Sequence, residues 1–154
     1  MPHLIRRRIA IAALAASVGL AGCATHINTS VAAAPAGPVK AAYHVNGDVE
    51  IAAHALRNIR NHMSADPTAK IAVVTHGPGI NFLLAGAQDK NGNAFAPMVD
   101  DLALKGVEFK VCNNTLTSRN IDKSKVITGA VIVPSGVAEI TRLQAQDGYV
   151  YIKP

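Results

Sequence analysis

The sequence predicts an α/β domain whose mainly parallel sheet is covered by helices, and two patterns predict it. Short apolar and β-branched runs alternate with segments of helical spacing from about residue 40 to the end, which is the order of a parallel sheet with right-handed helical crossovers. Each strand-like run also ends in Gly, Pro, Asn, Asp or Ser, the residues that turns require. A chain of 154 residues suits one domain. Without its N-terminal segment it keeps about 115 to 130 residues, enough for a single core. There is no internal repeat at solenoid spacing.

Residues 1–23 follow the order of a secretory signal: Arg6 to Arg8, an apolar run from Ile9 to Leu20, then small residues. The run is too short to span a bilayer. Leu20-Ala21-Gly22-Cys23 looks like the bacterial lipobox, so Cys23 is the expected lipidation position. Ordinary cleavage nearby, for example after Ala24, is the alternative. Ala24-Thr25 rather than an Asp follows Cys23, which in a Gram-negative host favours the outer membrane, facing the periplasm. The expected localisation is therefore periplasmic and lipid-anchored, with a soluble periplasmic form as the alternative, and contact with membrane is expected through the lipid alone. Residues 24–39, including Ala32-Ala33-Ala34-Pro35-Ala36-Gly37-Pro38, carry no apolar period and read as a flexible tether. The folded domain is assigned to 40–154.

The elements follow in order. Ala41 to Val45 is a short strand that breaks at Asn46-Gly47-Asp48. Asp48 then caps a helix whose inward face holds Ile51, Ala52, Ala55, Leu56, Ile59 and Met63, with Pro67 as its stop. Lys70 to Thr75 is a continuous apolar run, as expected of a strand buried on both faces, and it ends at His76-Gly77-Pro78-Gly79. A short apolar segment (Ile80 to Ala85) and a polar loop (Gln88 to Asn93) lead into a helix ending at Gly106, with Phe95, Met98, Leu102 and Val99 as its inward candidates. Val107 to Cys112 alternates, with Val107, Phe109 and Val111 on one face and Glu108, Lys110 and Cys112 on the other. Asn113 to Lys125 is polar, with room for a short helix. Ala130 to Val133 is a fourth strand, ending in Pro134-Ser135-Gly136. Ser135 caps a last helix with the stripe Val137, Ile140 and Leu143, and Tyr149 to Ile152 is a fifth strand.

Charge and composition exclude several functions. The formal charge is +5, but three of the 15 basic residues are Arg6 to Arg8, and without them 12 face 10 acidic residues. No basic footprint remains, aromatic residues are few and tryptophan is absent, so no nucleic-acid partner is expected. Gly77-Pro78-Gly79 lacks the spacing of a dinucleotide fingerprint or phosphate loop, and no cofactor is implied. The Gly22 to Gly86 region holds no Gly-x-Ser-x-Gly elbow to anchor a hydrolase triad.

In parallel sheets ligands bind beyond the carboxyl ends of the strands. Those ends carry Asn46, His76 with Gly77, Cys112 with Asn113 and Asn114, and Ser135, the candidate site residues. Turns need most of these for backbone reasons, but no turn needs a thiol. With Cys23 acylated or removed, Cys112 has no partner for an intramolecular disulfide. A lone thiol in an oxidising compartment is either buried and inert or put to use. Lys110 on the same strand face, and the amides of Asn113 and Asn114 if the next segment turns helical, favour a thiolate. His76 is a candidate acid, base or hydrogen-bond partner. His54 and His62 lie eight residues apart and read as solvated helix surface, so no metal site is expected.

Three stretches carry a resemblance: Val74-Thr75-His76-Gly77-Pro78-Gly79-Ile80-Asn81-Phe82-Leu83-Leu84, Leu104-Lys105-Gly106-Val107-Glu108-Phe109-Lys110-Val111-Cys112-Asn113-Asn114-Thr115-Leu116, and Val133-Pro134-Ser135-Gly136-Val137-Ala138-Glu139-Ile140. Together they resemble DsrE/DsrF-like proteins over roughly residues 40 to 154. The resemblance implies a three-layer α/β/α sandwich around a five-stranded sheet, assembled as a homo-oligomer, trimer or hexamer. It also implies that Cys112 stands where sulfur-relay members carry sulfur as a persulfide. A sulfur donor or acceptor, protein or small sulfur compound, is the expected partner, and Asn46, Gly77, Asn113, Asn114 and Ser135 are the expected substrate-binding set. The competing expectation is a non-enzymatic oligomeric binding or assembly module on the same fold. The export signal departs from the best-studied carriers, which are cytoplasmic.

Overall fold

The computed structural model describes residues 37–154. The expected signal peptide, Cys23 and most of the expected tether lie outside the described residues. Five strands form one sheet: β1 (Lys40–Val45), β2 (Lys70–Thr75), β3 (Glu108–Cys112), β4 (Ala130–Val133) and β5 (Val150–Ile152). Their spatial order is β4-β3-β2-β1-β5 and every neighbouring pair is parallel. β2 is buried along its length after Lys70, as its unbroken apolar run requires.

Among the described residues four α-helices accompany the sheet: α1 (Val49–Ala65), α2 (Ala96–Leu104), α3 (Asn113–Ser118) and α4 (Gly136–Ala145). The chain from β1 to β4 steps one strand at a time in a single direction, so its right-handed crossovers fall on one face of the sheet. The connection from β4 to β5 returns across the whole sheet and places α4 on the other face. Side-chain alternation agrees with this layering. Ala41, Tyr43, Val45, Val73, Phe109 and Val111 join the larger core under α1 and α2, whereas Ala42, Ala72 and Val74 meet Ile140 and Leu143 of α4.

Asp48 caps α1 by accepting from the amides of Glu50 (3.0 Å) and Ile51 (3.2 Å). Ala52, Ala55, Leu56 and Ile59 form the buried stripe, but Ile51 is 39% exposed, because its side chain folds over Gly47 in the preceding loop. The apolar segment after β2 is a 3-10 helix, Gly77–Leu83, which buries Ile80, Phe82 and Leu83. Phe82 meets Phe95 and Phe109 edge-on, with ring centroids 5.7 and 6.4 Å away. α2 begins directly after Phe95, so Phe95, Val99 and Leu102 make the inward stripe and Met98 is left half-buried. Val107 is buried but precedes β3, since its amide closes the end of α2 on Leu102 (3.0 Å).

Asn113 to Lys125 contains α3 and a single 3-10 turn at Lys123–Lys125, capped by Asp122. Ser135 caps α4 through the amide of Ala138 (3.4 Å). Val137 is 60% exposed, because Gly136 takes the inward position where the helix starts. Tyr149 lies just before β5, its amide bonded to the carbonyl of Leu143 (3.0 Å). Among the described residues no helix is long and apolar enough to cross a membrane.

Candidate functional site

The carboxyl ends of β2, β3 and β4 converge on one glycine. Cys112 ends β3, and His76 follows β2 in the next row of the register in which Thr75 pairs Val111. A Cβ added to Gly136 would lie 2.9 Å from the Thr75 carbonyl oxygen, 3.2 Å from the His76 Cβ and 3.3 Å from the Cys112 Cβ. Only a residue without a side chain lets α4 start this close to the ends of β2 and β3.

Cys112 is a free cysteine, 4% exposed. Burial pushes its thiol up, but the Gly136 amide, the Thr115 hydroxyl and the amides of Thr115 and Asn114 outweigh burial and hold it below the ordinary thiol value. The sulfur thus faces donors from α3 and from the start of α4. The helical turn expected after Cys112 is present, and the Asn114 amide donates to the Pro134 carbonyl (3.3 Å) while contributing to the lowering at the thiol. The hydroxyl and amide of Thr115 and the amide of Gly136 were not foreseen. A threonine in a polar stretch reads as surface, and a glycine after Pro-Ser reads as a turn.

Lys110 does not serve the thiol in the expected way. Its ammonium is bound by Glu108 (3.0 Å) and Glu139 (3.1 Å), so two carboxylates neutralise the charge meant for a thiolate. Ser135 uses its hydroxyl as a helix cap. Asn113 holds a buried side-chain oxygen with no hydrogen-bond partner, directly after Cys112. Gly77 has φ +54°, a left-handed conformation suited to glycine, and it donates its amide to the Thr115 hydroxyl (3.0 Å). The hydroxyl that favours the thiolate is therefore itself held by the turn after β2. Arg119 fastens the same turn, donating to Asn81 Oδ1 (2.8 Å) and to the Gly77 carbonyl (3.4 Å). Asn46 flanks it from the end of β1, its carbonyl oxygen 3.9 Å from where a Gly77 Cβ would lie.

His76 has a partner that the sequence did not suggest. Its Nε2 lies 2.7 Å from Nε2 of His44, and His44 Nδ1 lies 2.8 Å from the Tyr151 hydroxyl. His44 and Tyr151 alternate with apolar residues in their strands and so read as ordinary outward positions. His54 is exposed, as expected, but His62 is half-buried, with Nδ1 3.0 Å from the Tyr43 hydroxyl. Among the described residues no group of three or more histidines, cysteines or carboxylates is arranged to hold a metal ion.

Residues 40–154 match the model of the DsrE/DsrF-like family. No curated protein matched the chain. Among solved structures, the chain is similar to MTH1491 from Methanobacterium thermoautotrophicum, described as a protein of unknown function, at 29% identity and a TM-score of 0.67, over 75% of this chain and 99% of that one. The ychN protein from E. coli shares the fold at 17% identity and a TM-score of 0.61, over 74% of this chain and 99% of its own.

Proposed function

The chain belongs to the DsrE/DsrF-like family, and from that premise we propose that it is a sulfur carrier of the relay type, with Cys112 as the thiol that accepts a sulfane sulfur and passes it on. The observation that carries this reading is the placement of Cys112 at the end of β3 against the first residue of α4, where the amides of Gly136, Thr115 and Asn114 and the Thr115 hydroxyl outweigh burial and hold the thiol below its ordinary value. Such donors stabilise the anion that is the nucleophile in sulfur transfer. In the transfer the Cys112 thiolate attacks the outer sulfur of a persulfide or polysulfide. A bond forms from Sγ to that sulfur, the donor's sulfur–sulfur bond breaks, and the donor leaves as a thiolate. A second thiolate takes the sulfur away by the same exchange. Asn113 and Asn114 follow Cys112 directly and are the side chains assigned to the transferred sulfur, with His76 assigned to its proton.

In this reading the chain is exported, anchored by a lipid on Cys23 to the outer membrane on its periplasmic side, and assembled as a trimer or hexamer. A periplasmic sulfur compound or carrier protein is its partner. Treating the mature protein with polysulfide is expected to add the mass of one sulfur atom, and Cys112→Ser is expected to lose the adduct. An equal adduct on the variant, or none on either protein, overturns the proposal.

One observation favours a second reading, a binding or assembly module without sulfur chemistry: the near-complete burial of Cys112. That module would keep its function in Cys112→Ser.

A further inference from the structure

The geometry points to His44 and Tyr151 as positioning residues that act through His76 to set the proton on the Cys112 thiol, in one polar row crossing four adjacent strands. The inference rests on the reading of Cys112 as a working thiol. Cys112 ends β3, His76 follows β2, His44 lies on β1 and Tyr151 on β5, and these strands are neighbours in that order. Cys112 and His76 are neighbours across the register in which Thr75 pairs Val111, with both Cβ atoms close to Gly136, and from His76 outward the row is hydrogen-bonded. The His44 and His76 rings lie 4.7 Å apart between centroids at 34°, and the His44 and Tyr151 rings 5.7 Å apart at 61°. Tyr151 is 42% exposed, so the row reaches solvent at the β5 edge.

Two ring nitrogens 2.7 Å apart hold one proton between them, so one donates and the other accepts. With His76 Nε2 donating, His44 Nε2 is the acceptor and His44 Nδ1 carries the hydrogen that it donates to the Tyr151 oxygen. The remaining nitrogen of His76 is then bare. A proton leaving Sγ for that nitrogen breaks the S–H bond and forms an N–H bond. The His76 Nε2 proton passes to His44, the His44 Nδ1 proton to Tyr151, and the Tyr151 hydroxyl proton to water. One proton enters the row, one leaves it, and no electron moves.

Burial, the neighbouring His76 and then Lys153 lower the basicity of His44, which favours the neutral ring that such a relay needs. The other charged groups on this face are Lys110 and Glu108 on β3 and Glu139 and Arg142 on α4, with Asp147 after it, which are bound to one another, and Lys40 at the start of β1, which donates to the Asp147 carbonyl.

The test is the rate of iodoacetamide alkylation at Cys112 against pH, read by peptide mass on the full chain, for wild type, His44→Phe and Tyr151→Phe. The wild-type profile is expected to carry a step in the imidazole range. His44→Phe should remove the step and slow the reaction near pH 6 about tenfold, and Tyr151→Phe, which loses one hydroxyl and keeps its ring, should shift it. Profiles of Tyr151→Phe and wild type that coincide overturn the inference, as does a native Cys112 that is not alkylated. Polysulfide loading of the same proteins separates the two claims. Sulfur gain with coincident profiles removes the row and keeps the carrier, whereas row-dependent profiles without sulfur gain do the reverse.

Discussion

Thr115 joins the two loops that make the site. Its hydroxyl accepts from the Gly77 amide at 3.0 Å and is one of the groups that hold the Cys112 thiol below its ordinary value, so the turn after β2 and the thiol at the end of β3 are linked through it. Thr115→Val keeps the shape and deletes that hydroxyl. The Cys112 thiol should then titrate higher, and loss of the bond from the half-buried Gly77 amide should cost about 1 kcal/mol. The pH midpoint of alkylation and a urea melt measure the two effects. Cys112 was legible in the sequence because no turn calls for a thiol. Thr115, Gly136, His44 and Tyr151 were not, because their importance comes from which strands lie side by side, and spacing along the chain does not carry that. Lys110 was misread for the same reason, since Glu139 is distant in sequence and reaches it only once α4 crosses the sheet.

α4 covers its face of the sheet almost alone, and an ion network supplements its small apolar contact. Glu139 binds Lys110 at 3.1 Å and Arg142 at 2.9 Å, and Arg142 also binds Asp147 at 2.8 Å. Hydrogen bonds from Arg142, against the opposing effect of burial, and then from Lys110 hold the Glu139 carboxyl down at about 2. Because the folded value lies below the unfolded one, this stabilisation is complete above the ordinary carboxylate range and is lost as pH falls toward 2. Between pH 7 and pH 3 the wild type should lose on the order of 1–3 kcal/mol more stability than Glu139→Gln, as measured by urea unfolding at the two pH values. Equal losses would mean that the pairing does not hold α4. Most elements were legible because apolar period and turn residues mark them: the buried stripe of α1, the unbroken run of β2 and the caps Asp48 and Ser135 all agree with the structure. Ile51 and Val137 fit the helical period but lie in first turns, where loop packing decides which side is inward. The 3-10 helix at Gly77–Leu83 was read only as an apolar segment, since seven residues are too few to display its period.

At the scale of the whole molecule, strand order accounts for both the site and the exposed apolar surface. Three consecutive crossovers in one direction bring the ends of β1 to β4 to one edge of the sheet, and the long return to β5 lays α4 and its glycine against them. The same return leaves β4 and β5 as sheet edges. Val131 on β4 is 63% exposed, and Val137 at the start of α4 is exposed as well. If a homo-oligomer covers this surface, Val131→Glu should shift sedimentation toward the monomer and leave the thermal melt of the monomer unchanged. An unchanged sedimentation coefficient would place the interface elsewhere.

The central claim is that Cys112, though buried, is a reactive thiol whose surroundings favour its thiolate form, and its alkylation by iodoacetamide at neutral pH, native against denatured, tests this most directly. The donors around the sulfur predict that the native thiol reacts faster than the unfolded one. Protection in the native protein, with reaction only after denaturant is added, would contradict it and leave Cys112 as a packing residue.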